Sequence, residues 1–157
     1  MKKVLIFLGI MIVLFIALAL LTNMENSKKV SENNPYGKDR LEPETVDLLD
    51  DNNYQNIILP EKLEKRLANQ EDATVYFFAS NCPFCKEATP ILTPMAEELG
   101  IDLVQYNLLE FKQGWDDYQI ELTPTIVQYK DGIEVARIVG LQEEDVYRRW
   151  LTDNLVQ

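Results

Sequence analysis

The hydrophobic pattern divides the chain into three unequal parts. The opening "MKKVLIFLGIMIVLFIALALL" carries Lys2 and Lys3 and then runs from Val4 to Leu21 without a charge. As an α-helix that run spans about 27 Å, close to the ~30 Å hydrocarbon core of a bilayer. The pattern therefore predicts an N-terminal transmembrane helix within residues 1–24. Its lysines would stay in the cytoplasm and the rest of the chain would lie outside. A cleaved leader is the alternative, with Ala17–Ala19 as its small-residue site. Against cleavage, Leu20 and Leu21 follow that site, and the apolar run is longer than the 7–15 residues usual in a leader. Residues 25–55 are polar, acidic and without apolar periodicity, which predicts a solvated stalk. A short helix or docked turn is expected there around Glu44–Leu49. Residues 56–157 remain, enough for one compact domain.

Within that domain the periods alternate. "NIIL" (Asn56 to Leu59) is a short strand candidate, and Pro60 then opens the amphipathic "PEKLEKRLANQ". Pro suits the first helical position, and Glu61 and Glu64 suit the first turn. "ATVYFFAS" is apolar on both faces and predicts a buried strand. From Cys82, the set Cys85, Ala88, Leu92, Met95, Ala96 and Leu99 recurs at helical spacing. Ser80 or Asn81 is the expected cap, Pro90 and Pro94 predict a kink or break, and Gly100 predicts the end. "IDLVQYNLL" is a second buried strand, and "FKQGWDDYQIEL" a helix or irregular link. Strand residues flank Asp131-Gly132, a hairpin signal. "LQEEDVYRRWLTDNL" closes the chain as a helix. The order β-α-β-α-β-α-β-β-α predicts an α/β domain whose early strands are parallel and whose last pair is antiparallel.

Charge and composition then narrow the chemistry. The net charge is −11, and most of it lies in the C-terminal domain. Such a surface repels phosphates, so no nucleic-acid partner is expected. The chain contains no histidine. That excludes Ser-His and Cys-His catalysis, His-ligated haem and the common zinc sites.

The two cysteines are Cys82 and Cys85, three apart at the strand-to-helix junction "FFASNCPFCKEATP". A zinc site needs about four ligands, and only carboxylates could supply the rest. A structural disulfide would close a very short loop and constrain the unfolded chain little. Two buried core thiols are a third possibility. Reversible dithiol–disulfide chemistry fits the position best. A cysteine at the first turn of a helix faces free N–H groups and the positive end of the dipole, and both favour the nucleophilic thiolate. Cys82 takes that place. Cys85, one turn further in, would resolve the mixed disulfide, and Pro83 stiffens the loop between.

Several features together carry a resemblance: "VYFFASNCPFC" after a hydrophobic strand, Pro90 five residues past Cys85, "TPT" at Thr123–Thr125, and Gly132 and Gly140 around the last hairpin. In these the domain resembles the thioredoxin-like thiol–disulfide oxidoreductases. The resemblance implies a thioredoxin fold, a central mixed sheet flanked by helices, here behind the transmembrane helix. It implies Cys82 and Cys85 as catalytic residues. It also implies a cis peptide before Pro124, with Thr123, Pro124 and Phe84 forming a substrate-binding groove in which an extended peptide adds as a strand. No cofactor or metal is implied. The implied partners are protein thiols and disulfides and a membrane redox partner, with the chain acting as a monomer at the extracytoplasmic face of the cell membrane. The alternative is a non-catalytic thioredoxin-fold binding or chaperone-like module of a membrane complex.

Three departures bear on the mechanism. The usual Trp-Cys-Gly-Pro-Cys is Asn81-Cys82-Pro83-Phe84-Cys85. Tyr76 stands where the family has a buried aspartate, and Gln105 where it has the paired lysine. The usual proton acceptor for Cys85 is thus missing, with water, Glu87 or Tyr76 as substitutes. Lys86 is a candidate to polarise the site, although a solvated lysine is the plainer reading. Trp115 is a candidate for the substrate surface, although core packing is the plainer one. Without the aspartate, a potential between roughly −270 mV and roughly −120 mV is expected.

Overall fold

The computed structural model describes residues 2–32 and 34–155. After helix α1 (Lys2–Glu32) come the short helix α2 (Pro43–Val46), a single 3-10 turn at Asn52–Tyr54, and α3 (Pro60–Ala68). Then follow β1 (Ala73–Phe78), α4 (Pro83–Glu98), β2 (Leu103–Asn107), α5 (Gly114–Asp117), β3 (Thr125–Lys130), β4 (Ile133–Val139) and α6 (Glu144–Leu155). The strand order is β2-β1-β3-β4, with β1 parallel to β2 and antiparallel to β3, and β3 antiparallel to β4. This is the mixed sheet flanked by helices that the resemblance implies. Asn56–Leu59 falls short of a strand. Ile57 makes one parallel bridge to Gln105, held by Ile58 N–H to the Gln105 carbonyl (2.9 Å) and Gln105 N–H to that of Asn56 (2.8 Å). Pro60 opens α3 directly afterwards and leaves no length for more.

β1 is the centre of the structure because its alternation is apolar on both sides. Val75 and Phe77 join the core beneath α3, with Leu63, Val104, Tyr106 and Val127. Tyr76 and Phe78 join the core beneath α4 and α6, with Cys85, Leu92, Ile126 and Leu151. Trp115 is half-buried against the first core, the plainer of its two readings. The hairpin turns on Asp131 (φ 51°) and Gly132 (φ 76°), the left-handed pair that a two-residue turn requires.

Two local expectations are corrected. Of the expected kink or break at the prolines, the break does not occur: α4 continues as one helical segment through Pro90 and Pro94. Each proline removes a backbone bond, but the buried face of Ala88, Thr89, Leu92, Met95 and Ala96 holds the helix to the sheet. Neither Ser80 nor Asn81 caps α4. Cys82 itself occupies the cap position in extended conformation (φ −82°, ψ 119°), with Pro83 as the first helical residue.

The larger correction concerns residues 25–55. Their second half is not a solvated stalk. Tyr36, Thr45, Val46 and Tyr54 are buried in the domain, and α2 forms where a short helix was expected. Glu110 anchors this strap. Its carboxylate, almost wholly buried, pairs with Lys38 (3.1 Å) and accepts the Glu42 N–H (2.8 Å). The Lys38 ammonium also donates to the Glu110 carbonyl and lies 4.7 Å from the Phe111 ring centroid.

In α1 the side chains from Ile6 to Leu21 are described and exposed. At 1.5 Å per residue they cover about 24 Å. Among the described residues no helix is long and apolar enough to cross a membrane. The side chains of Val4 and Leu5, where the expected span begins, lie outside the described set.

Candidate functional site

The site forms where β1 ends and α4 begins. The apolar pattern of β1 drives it through the middle of the sheet, and Pro83, which cannot continue a strand ladder, starts the helix. The backbone between them turns sharply, with Cys82 N–H donating to the Ala79 carbonyl (2.9 Å). Opposite lies the loop into β3, where the Thr123–Pro124 peptide is cis. The Cys82 thiol lies 3.5 Å from the Thr123 carbonyl oxygen. The structure therefore brings together Cys82, Cys85, Thr123 and Pro124. Phe84 stands beside them, 57 % exposed, and Leu122, which the sequence pattern did not single out, is 61 % exposed on the facing loop.

The two thiols are free and differ sharply. Cys82 is half-exposed and Cys85 fully buried. Burial opposes a thiolate on Cys82. Hydrogen bonds from the Thr123 hydroxyl, the Cys85 backbone and thiol, and the Phe84 backbone together outweigh it and lower the pKa below its ordinary 9.0. These N–H groups are the unpaired donors of the first turn of α4. For Cys85 burial dominates. It pushes the thiol up to about 12, with the neighbouring Cys82 adding to the rise, while the Ala79 backbone N–H and the Thr123 hydroxyl only partly offset it. One helical turn thus holds a ready nucleophile and a protonated reserve thiol.

Around Cys85 the departures from the family pattern take a definite form. The Tyr76 hydroxyl lies 2.9 Å from the Thr89 hydroxyl and 3.5 Å from the Cys85 carbonyl oxygen, and Thr89 donates to that carbonyl (2.7 Å). Burial, reinforced by repulsion from Cys85 once that thiol ionises, raises the Tyr76 pKa well above its ordinary value. Tyr76 is therefore a neutral hydroxyl and no base. Glu87 and Lys86 are exposed on α4. Gln105 donates to the Asn53 carbonyl (2.7 Å) and the Thr93 hydroxyl (3.3 Å), and its buried side-chain oxygen has no partner. Tyr54 closes this side, its pKa raised chiefly by burial and further by the Cys85 thiolate.

A second polar cluster lies behind the thiol loop and was not legible beforehand. Asn107, at the end of β2, donates to Ser80 (2.7 Å), to Tyr36 (3.2 Å) and to Thr45 (3.3 Å), and Thr45 donates to Ser80 (2.9 Å). Only the Asn at the end of the strand "LVQYN" hinted at it. Among the described residues, no three Cys, Asp or Glu side chains stand where they could share a metal ion.

Comparison with known proteins agrees with this geometry. The family model described as Thioredoxin matches residues 50–153. The thioredoxin of Chlamydia pneumoniae is 39 % identical over 72 residues, covering 45 % of this chain and 71 % of that protein. The thioredoxin of Mycolicibacterium smegmatis is 31 % identical over 93 residues, covering 57 % and 83 %. Among solved structures, Fasciola hepatica thioredoxin superposes with a TM-score of 0.54 at 25 % identity, covering 63 % of this chain and 95 % of that one. A cleft between a cis-proline loop and a thiol pair of unequal acidity, in a domain that the thioredoxin model spans almost end to end, leaves one assignment: the chain belongs to the thioredoxin family and is a thiol–disulfide oxidoreductase.

Proposed function

We propose that this protein exchanges disulfides with protein substrates through Cys82 and Cys85, from a membrane-anchored position on the extracytoplasmic side. The observation that carries the exchange is the contrast between the two thiols, an activated Cys82 at the mouth and a buried, protonated Cys85 one turn behind. The Cys82 thiolate attacks a sulfur of the client disulfide. One S–S bond breaks, a mixed disulfide forms, and the first client thiolate leaves. Cys85 then attacks Cys82 Sγ, its proton passing to water or to the departing client sulfur. The second client thiolate leaves, and the Cys82–Cys85 disulfide carries the two-electron oxidation. The reverse sequence oxidises a client dithiol. Phe84 and Leu122 offer apolar contact at the rim, and Thr123 offers backbone groups to an extended client.

Support for the anchor is the charge-free run Val4–Leu21 behind Lys2 and Lys3, with every described apolar side chain from Ile6 to Leu21 exposed. An anchored domain of this kind calls for a membrane redox partner. The pairing of an exposed with a shielded thiol argues against a non-catalytic scaffold, which has no use for it.

Cys85→Ser in the full chain is the test. It should accumulate client mixed disulfides on Cys82 that dissolve in reductant, in the membrane fraction. Trapping by Cys82→Ser instead would reverse the roles. Trapping by neither would favour the scaffold.

A further inference from the structure

Both cysteines are held by one residue. The Ala79 carbonyl accepts the Cys82 N–H (2.9 Å), and the Ala79 N–H faces the Cys85 thiol. The next residue, Ser80, is buried and has no backbone role in the helix that follows. Its hydroxyl instead receives Thr45 (2.9 Å) and Asn107 (2.7 Å). Thr45 belongs to α2, and Tyr36, on the same Asn107 side chain (3.2 Å), lies further upstream. Both precede residues 50–153, the span that matches the family. The thiol loop of this chain is therefore clamped from behind by a segment outside the common domain.

We propose that the strap formed by residues 34–49 acts, through Thr45, as a positioning device that sets the reactivity of Cys82. The donors that stabilise the Cys82 thiolate are the Thr123 hydroxyl on the facing loop, the backbone and thiol of Cys85, and the backbone of Phe84. Their aim depends on where the Ala79–Cys82 turn sits. Hydrogen bonds weaken steeply with misalignment, so a small displacement of Ser80 costs stabilisation at Cys82. Buried polar clusters of this kind fix one arrangement because each alternative leaves a donor unmade. Thr45 acts through Ser80, directly (2.9 Å) and by way of Asn107 (3.3 Å).

This inference rests on Cys82 being the attacking thiol, which client trapping by Cys85→Ser tests separately. Its own test is the pH profile of Cys82 alkylation in the full-length reduced protein, with the modified thiol identified by peptide mass. Thr45→Val, of nearly equal shape, removes the donor. Thr45→Ser retains it. Thr45→Val should slow alkylation at pH 7 about three- to tenfold by moving the profile upward by roughly half a unit to one unit. Thr45→Ser should restore it. Tyr36→Phe, which keeps the ring and removes the hydroxyl, should move the profile in the same direction, and it serves if Thr45→Val does not fold. A fall in melting temperature with an unmoved profile would make the strap merely structural and overturn the proposal. So would an unmoved profile in Tyr36→Phe where Thr45→Val cannot be read.

Discussion

Replacing Lys38 by Met tests whether the strap belongs to the folded domain. Glu110 has a side chain only 3 % exposed, with one oxygen on Lys38 and the other on the Glu42 N–H. Removing the ammonium leaves a buried carboxylate with a single backbone donor. Breaking a fully buried pair in this way costs about 3–5 kcal/mol. The Lys38 side chain is itself 35 % exposed, so water screens part of the charge, and about 2 kcal/mol is the better figure. Loss of the cation over Phe111 adds little, because Met keeps a favourable contact with the ring. For a domain of this size the cost lowers the melting temperature by about 8 °C. Adding Glu110→Gln removes the stranded charge and keeps an acceptor for Glu42, so the double variant should return to within about 1 kcal/mol of wild type. Thermal unfolding of the full chain, followed by tryptophan fluorescence, reads all three. Limited trypsin digestion should cut at Arg40 faster in Lys38→Met than in wild type. A single variant within about 0.5 kcal/mol of wild type, still resistant at Arg40, would refute the strap as an integral part of the domain.

Two other perturbations follow from the same coordinates. Gly132→Ala should cost at least ~2 kcal/mol, since a Cβ there would lie 2.1 Å from the Leu67 carbonyl oxygen at a left-handed φ of 76°; a stable variant in urea denaturation would mean the hairpin can move away from α3. Cys85, raised from 9.0 to about 12, contributes stability that is fully present below pH 9 and lost as pH rises towards 12. The reduced protein should therefore lose about 2 kcal/mol between pH 7 and pH 10.5 beyond what Cys85→Ala loses, and equal losses in matched denaturation curves would show that Cys85 ionises freely in the folded state.

Much of the architecture was legible because strong local signals agreed with one another. The two-sided apolar run of β1, the three-and-four spacing after Cys82 and the Asp131-Gly132 turn each specify geometry over a few residues, and each is found where the pattern puts it. The thiols, Thr123 and Pro124 were legible through motif spacing and resemblance, and they converge at one cleft. What failed was long-range. Nothing local tells Glu42, Thr45 or Lys38 that Glu110, Ser80 and Asn107 wait far along the chain, so a polar acidic stretch looked solvated when it was docked. Likewise Ser80 looked like a helix cap because Ser commonly is one, whereas Asn107 and Thr45 compete for its hydroxyl and Cys82 takes the cap. The prolines of α4 do not break the helix, since tertiary burial outweighs a local penalty.

Docking of the strap changes how far the thiols can travel. A solvated stalk over residues 25–55 would let the domain wander roughly 31 Å from its attachment. In the folded chain α1 ends at Glu32 and Tyr36 is already buried, so the intervening links span about 14 Å even at full extension. For an anchored protein the searchable volume shrinks about tenfold. Under that proposal Cys82 would be held in a thin layer above the bilayer, at a height set by the helical residues 22–32, which would concentrate it against partners resident in the membrane and withhold it from proteins diffusing freely beyond that layer.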